Sequence, residues 1–429
     1  MSNAILSYAG VVLPYSAQFE QLIHKYDLVH EQQFGAPKRM YPIRTDGKYI
    51  IFPKFIFKKE FDTPVTPKLP PIQYKTYNFL GEINTNNKLI ADHTLTHYDD
   101  ITSGFCSTVL NMGAGLGKTY VAAYIISRLG LSTLFITKNK ELRGQADADF
   151  AKILDAKVDT IVINSALNLP DFKKYSFIIF DEVHEMCSQA RSKIFHKCGT
   201  WAMLGMSATT ERTDGFEKFY QYYLGDVEYA KNIDGYDVNT ANFNSEVKVI
   251  HYRGPPQYTQ NLTHEITGEI FVPYILKQFM DDDDRFDLVI QEIKGLEGKN
   301  LFVFSGEIAM LEKLKEKLDK VGIEADLFTG KTEKKKLDGI RKEAKVILTT
   351  YSYSSTGLSI NRMDAILFLT PRKSNMIQIL ARILRRGGNT DSKRIIVDIV
   401  DEKTVLKHQL KERLKAYKFY GMKVSHTSI

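Results

Sequence analysis

Three stretches of this sequence carry residue types whose spacing suits chemistry on a phosphate chain. The first is Asn111–Thr119, NMGAGLGKT. Its glycines permit a tight turn, so the backbone N–H groups of Gly113, Ala114, Gly115, Leu116 and Gly117 can point at phosphate oxygens. A helix opening at Lys118 adds partial positive charge at the same place. Lys118 would reach the terminal phosphates, and the Thr119 hydroxyl would hold Mg2+. The strict phosphate-loop pattern asks for glycine where Met112 stands. A plain glycine-rich turn is the alternative, but an apolar run before and a helical segment after favour a nucleotide loop.

The second stretch is Asp181-Glu182-Val183-His184, at the end of the apolar run FIIF. A strand ending in two carboxylates places them at the carboxyl edge of a parallel sheet, where such folds bind ligands. Asp181 would orient Mg2+ and Glu182 would polarise an attacking water. A solvated acidic strand end is the competing reading. The third stretch, QILARILRRGG, holds Gln378, Arg382 and Arg385 at spacings that share one helical face. Arginines so presented would neutralise charge on a transferred phosphate. Ile379, Leu380, Ile383 and Leu384 equally suit the buried side of a basic amphipathic helix, and both readings can hold together.

The elements that must position these groups are legible as apolar runs with β-branched content. TVLNM (108–112), TLFIT (133–137), TIVIN (160–164), FIIFD (177–181) and AMLGMSA (202–208) alternate with segments of helical length. LFVFS (301–305), KVILTT (345–350), AILFLT (365–370) and RIIVDIV (394–400) repeat the pattern. Short apolar strands alternating with helices predict α/β units with parallel sheets covered on both faces. The expected divisions are an accessory domain over 1–65, a first α/β domain over 66–225, a connection over 226–284 and a second α/β domain over 285–429. The segment FDTPVTPKLPP (61–71) reads as a hinge, and the turn signals and the acidic run Asp281–Asp284 mark the connection.

Composition narrows the function classes. The 429 residues are 43% hydrophobic and 25% charged, which supports a packed core and argues against global disorder. Three cysteines, Cys106, Cys187 and Cys198, are too few for a disulfide framework and fit no four-ligand zinc pattern, which suggests a reducing, intracellular setting. No apolar run approaches the roughly 20 residues of a membrane span, and the first residues lack the basic flank of a signal peptide. The net charge of +7 permits a nucleic-acid partner. Residues 35–60 hold seven Lys/Arg with five interleaved Tyr/Phe, which suits backbone neutralisation with base stacking. A small β-rich core with solvated lysines explains the same run. Lys331–Lys336 could lie along a strand or form a solvated face.

Taken in order, these stretches resemble the superfamily 2 helicases. GAGLGKT (113–119) resembles motif I, TLFITKNKELRGQ (133–145) motif Ia, DEVH (181–184) motif II and Ser207-Ala208-Thr209 motif III. FVFSG (302–306), STGLSI (355–360) and QILARILR (378–385) resemble motifs IV, V and VI. Residues 207–225 and 353–369 look most like a narrower group that holds phage branch-migration helicases, the poxvirus transcript-release helicase and DNA-repair relatives. Thr210 stands where that group has proline, and Ala381 where motif VI has glycine. The resemblance implies two tandem RecA-like domains with ATP between them and a nucleic-acid strand across their top. It implies that His184, Ser207 and Thr209 couple hydrolysis to strand movement, that Gly357 senses ATP and backbone phosphate, and that Gln73 reads adenine. The implied activity is ATP-dependent unwinding or branch migration of forked or junction DNA. An RNA-directed or transcript-releasing ATPase and an ATP-switched binding subunit are the alternatives.

Overall fold

A computed structural model of the chain describes residues 4–32, 36–113, 115–209, 212, 214–237, 244–354, 360, 362–384 and 392–429. Ala114, Gly357 and Arg385, singled out above, lie outside the described residues. The chain forms two compact units, residues 1–237 and 238–429.

The first unit begins with an accessory sheet. Strands β1 (Ala4–Ser7) and β2 (Gly10–Pro14) pair antiparallel; β3 (Leu28–His30) and β4 (Lys38–Met40) form a separate ribbon. With β5 (Arg44–Thr45), β6 (Tyr49–Phe52) and β7 (Val65–Pro67), the sheet runs in the order β5-β6-β2-β1-β7. The segment read as a hinge therefore contributes a strand, because β7 pairs parallel to β1. The basic, aromatic run is divided by Pro53 into β6 and the helix Lys54–Glu60. Phe52 and Phe57 are buried there beside Ile50 and Ile56, while Tyr41 and Tyr49 stay exposed. The core explanation thus holds for the two phenylalanines.

The second layer of this unit is a six-stranded parallel sheet. Its strands are β8 (Cys106–Asn111), β9 (Thr133–Thr137), β10 (Asp159–Val162), β11 (Phe177–Asp181), β12 (Ala202–Ser207) and β13 (Val227–Tyr229), in the order β10-β9-β11-β12-β8-β13. Alternation along β11 shows why the sheet is covered on both sides. Phe177 and Ile179 join one buried cluster, Ile178 and Phe180 the other. Each such side chain contributes about 1.5–3 kcal/mol on full burial.

The second unit holds β14 (Ser245–Tyr252), β15 (Leu301–Ser305), β16 (Asp326–Phe328), β17 (Val346–Thr350), β18 (Ala365–Phe368), β19 (Arg394–Asp401) and β20 (Lys423–Ser428). These form a parallel sheet in the order β16-β17-β15-β18-β19-β14-β20. The connection expected over 226–284 is corrected by this topology. Val227–Tyr229 closes the first sheet beside β8, and Ser245–Tyr252 lies inside the second sheet between β19 and β20. Polar residues hid β14 in the sequence, yet Lys248 pairs with Glu292 at 2.6 Å and His251 with Glu402 at 2.5 Å. The acidic run also has a structural role. Asp282 is buried and caps the helix Asp283–Gly295 by accepting from the Arg285 N–H at 3.1 Å. Arg285 in turn forms a fully buried pair with Asp401. No helix among the described residues is long and apolar enough to cross a membrane.

Lys54 joins the accessory domain to the parallel sheet beneath it. Lys54 is 2% exposed, and its ammonium donates to the carbonyls of Gly104 (2.7 Å) and Thr200 (2.9 Å). Burial pushes its pKa down to about 8. Lys54→Ala leaves two buried carbonyls without this donor and should cost about 1–3 kcal/mol in denaturant unfolding. Between pH about 8 and 10.5 the unfolded chain holds the Lys54 proton more tightly than the folded one. Wild type should therefore gain stability with rising pH through that window, a slope that Lys54→Met should lack.

Candidate active site

The order of the first parallel sheet decides which chemical groups can meet. β12 lies between β8 and β11, with Ser207 opposite Asn111 and Asp181 opposite Met206. The carboxyl ends of three adjacent strands thus deliver the glycine loop, Ser207 and the Asp181–Glu182 pair to one edge. Because neighbouring strands lie ~4.8 Å apart, β8 and β11 are about 10 Å apart, a gap that long side chains can close.

The loop after β8 has the conformation its glycines were expected to allow. The Met112 N–H donates to the Ser207 carbonyl at 2.9 Å, anchoring the start of the turn. Gly115 and Gly117 adopt φ of 79° and 92°, values that side-chain-bearing residues disfavour. Gly117 caps the helix Lys118–Leu129, so the partial positive helix end faces the loop. A Cβ at Gly117 would stand 2.6 Å from the Asn87 amide nitrogen. Gly113, Leu116 and Thr119 complete the described part of the loop.

Lys118 Nζ lies 2.5 Å from Glu182 Oε1. Glu182 Oε2 lies 3.2 Å from Ser207 Oγ, which in turn lies 2.7 Å from His184 Nδ1. Ser207 Oγ also meets the Thr209 carbonyl at 2.5 Å and the Thr209 N–H at 3.1 Å. One buried hydroxyl therefore joins Glu182, His184 and the chain at Thr209. Glu182 itself has φ 50° and ψ 54°, a left-handed conformation rare for a residue with a side chain. Such strain persists where surrounding contacts hold it, here the Lys118 pair and the turn that follows.

Electrostatics separate the two carboxylates. Burial pushes Asp181 up to about 6; the neighbouring Glu182 adds to the shift and Lys118 opposes it. Burial works upward on Glu182 as well, but Lys118 and His184 outweigh it and hold that carboxyl below its ordinary value. For His184, burial dominates and lowers the pKa against the pull of Glu182 and Glu185. Asp181 is a desolvated oxygen donor at the mouth of the loop, suited to a hard divalent cation. Together with the Thr119 hydroxyl it fits Mg2+ by donor chemistry.

Several members of this cluster carry no role in the sequence reading. Lys138 Nζ pairs with Glu185 Oε1 at 2.6 Å, and Arg212 donates to the His184 carbonyl at 2.7 Å while pairing with Asp214 at 2.6 Å. Lys138 lies within the segment TLFITKNKELRGQ and Arg212 within residues 207–225, which was the available signal. Nothing in the sequence marked Asn87.

Gln73 is not brought to the site. Its N–H donates to Ser176 Oγ at 2.6 Å and its carbonyl accepts from the Ser132 N–H at 2.8 Å. Both partners precede the first residues of β11 and β9, so Gln73 sits at the amino edge of the sheet. A five-residue strand, about 15 Å, separates that edge from the loop, which overturns the adenine-reading expectation.

In the second unit, Gln378 lies in the short helix Met376–Leu380. The helix ends before Arg382, whose N–H bonds back three residues to Ile379 at 3.0 Å. Over the described residues 378–384, a helix and a tighter turn therefore replace the single helical face expected there. Ile379, Leu380, Ile383 and Leu384 are buried, as the amphipathic reading requires.

Comparison with known proteins supplies independent findings. Residues 82–170 match the family described as the Type III restriction enzyme, res subunit. A protein of African swine fever virus, provisionally named an ATP-dependent RNA helicase, is 27% identical over 98% of this chain and 92% of its own. An Acanthamoeba polyphaga mimivirus protein, likewise provisionally named, is 28% identical over 86% of this chain and 74% of its own. Among solved structures, S. cerevisiae Dbp5 bound to RNA and ADP BeF3 shares the fold. Its TM-score is 0.53 at 15% identity, over 79% of this chain and 89% of that one.

The loop geometry is open to a direct check. Gly117→Ala should lose about 1–3 kcal/mol in thermal unfolding, because the positive φ and the Asn87 contact both oppose a side chain. Gly144→Ala, in an open position within the helix Lys140–Ile153, should instead gain about 0.5–1 kcal/mol.

Proposed function

We propose that this chain, an ATP-dependent helicase of superfamily 2 built on two RecA-like domains, hydrolyses ATP to ADP and phosphate to move along nucleic acid and separate its strands. The observation that carries the reading is the Lys118–Glu182 pair at 2.5 Å, bridged through Ser207 to His184. Terminal phosphates entering the loop would offer Lys118 a second anionic partner. As Lys118 turns to them, Glu182 loses the charge that lowers its pKa, and burial makes the carboxylate a stronger base toward water. The loop N–H groups and the amino end of the helix hold the phosphates, while Thr119 and Asp181 would hold Mg2+. When bound, that ion neutralises charge on the phosphate oxygens.

His184, Ser207 and Thr209 then have a physical route to couple turnover to movement. A change at Glu182 passes through one hydroxyl to the chain at Thr209. The resemblance assigns sensing of nucleotide and backbone phosphate to Gly357 and places Gln378, Arg382 and Arg385 in motif VI, where the two arginines would neutralise phosphate charge. On this reading Arg385→Ala lowers turnover by about 10³–10⁵ while nucleotide affinity survives in an equilibrium titration. Loss of affinity at an unchanged rate would contradict the assignment.

Two readings of the track rest on different observations. Forked or junction DNA is favoured by the likeness of residues 207–225 and 353–369 to the branch-migration group. RNA is favoured by the viral relatives that align with most of the chain and carry RNA-helicase names. Steady-state ATP hydrolysis with matched single-stranded, duplex, forked and four-way DNA, and with RNA, separates them. The DNA reading expects the forked or four-way forms to stimulate most, and a stronger response to RNA reverses it. Lys118→Ala and Glu182→Gln should each reduce turnover to near background; unchanged rates would leave a nucleotide switch in place of a motor.

A further inference from the structure

Outside the phosphate loop, three metal-ligating side chains from distant parts of the sequence converge at the edge of the first parallel sheet. His93 lies near the end of the helix Thr85–Leu95, His97 lies one turn on, and Glu228 lies on the edge strand β13. His93 Nε2 is 3.5 Å from Glu228 Oε2, and His97 Nε2 is 3.7 Å from Glu228 Oε1. One ligand atom from each residue can be chosen so that all three lie within 4.8 Å of one another. We propose that His93, His97 and Glu228 form a binding site for a divalent transition-metal ion of the zinc type.

The separations fit a metal better than they fit hydrogen bonds. Bonds of ~2.0–2.1 Å in a tetrahedral shell place neighbouring ligand atoms about 3.4 Å apart; each histidine stands close to that distance from one of the two Glu228 oxygens. A nitrogen–oxygen separation of that length makes at best a poor hydrogen bond. If both imidazoles were protonated to pair with Glu228, two like charges would stand one helical turn apart. A shared cation removes that conflict.

The scaffold holds the three groups in place before an ion arrives. Ile90, Ala91 and Thr94 of the same helix are buried, and the Tyr98 hydroxyl donates to the Met203 carbonyl at 2.9 Å. Glu228 pairs in register with Leu110 of β8. Farther along, the Asn86 amide donates to the Asp237 carbonyl at 2.7 Å and its oxygen accepts from the Asp237 N–H at 3.1 Å. A metal at the histidines would add a second tie between this helix and the segment that leaves the first sheet.

Ligand chemistry sets the selectivity. Two imidazoles and one carboxylate suit zinc, nickel or copper, whereas Mg2+ prefers an all-oxygen shell. The three ligands leave a fourth position for water, and the side chains are 33–40% exposed, so the ion has an entry path. Mg2+ serving the phosphate loop should not compete.

The test is calorimetric titration of Zn2+ into the full chain in excess Mg2+, paired with Co2+ visible absorption. One zinc per chain is expected, with His93→Gln and Glu228→Gln each weakening affinity at least ~10-fold and abolishing the Co2+ spectrum. Zinc should raise the melting temperature of wild type and not of the variants, whose metal-free melting confirms that they fold. No zinc uptake by wild type, or equal uptake by the variants, would mean a histidine–glutamate ion pair only and would overturn the proposal.

Discussion

The Lys118 ammonium and the Glu182 carboxylate stabilise each other where the carboxyl ends of β8 and β11 approach across β12. The pair is partly buried, with side chains 13% and 18% exposed, so removing either partner should cost less than the roughly 3–5 kcal/mol typical of a fully buried pair. That constraint shapes the surrounding groups. Glu182 keeps a left-handed backbone, Ser207 fills the space between Glu182 and His184, and the Met112 N–H bonds the Ser207 carbonyl. The loop glycines provide flexibility only where the turn needs it. The remaining groups are held by pairs that leave little freedom to drift.

The same economy of buried charge recurs away from the site. Lys54 carries an ammonium into the junction between the accessory sheet and the parallel sheet, satisfied by two backbone carbonyls in place of a carboxylate. In the second unit, Arg285 with Asp401 and Arg413 with Asp398 tie two helices to β19 inside the core. Breaking any of these leaves a polar group stranded in a dry environment, so loss of one partner is costly. The accessory domain is thereby a docked layer of the first unit. Its Tyr41 and Tyr49 stay exposed, while Phe52 and Phe57 are committed to packing.

Much of the architecture was legible because its signals are local. Runs such as FIIFD and LFVFS marked central strands, and glycine spacing marked the loop, since strand period and positive φ depend on a few adjacent residues. Signals failed where polar residues were satisfied at long range. SEVKVIHY looked like a connection until Lys248 and His251 found Glu292 and Glu402. The acidic run looked like a solvated boundary, yet Asp282 is a buried cap. The helical face over Gln378 and Arg382 failed for a different reason: the helix stops at Leu380, and periodicity cannot place a helix end.

By itself, the sequence determined that a glycine loop, two carboxylates and alternating α/β elements exist in this chain, because each is written within a few neighbouring residues. Only the tertiary structure decided which of them meet. Interposing β12 between β8 and β11 makes Ser207 the bridge, and strand direction alone sends Gln73 to the opposite edge. The convergence of His93 and His97 with Glu228 has the same origin. Strand order brings together residues that have no relation along the chain, and no local pattern records that order.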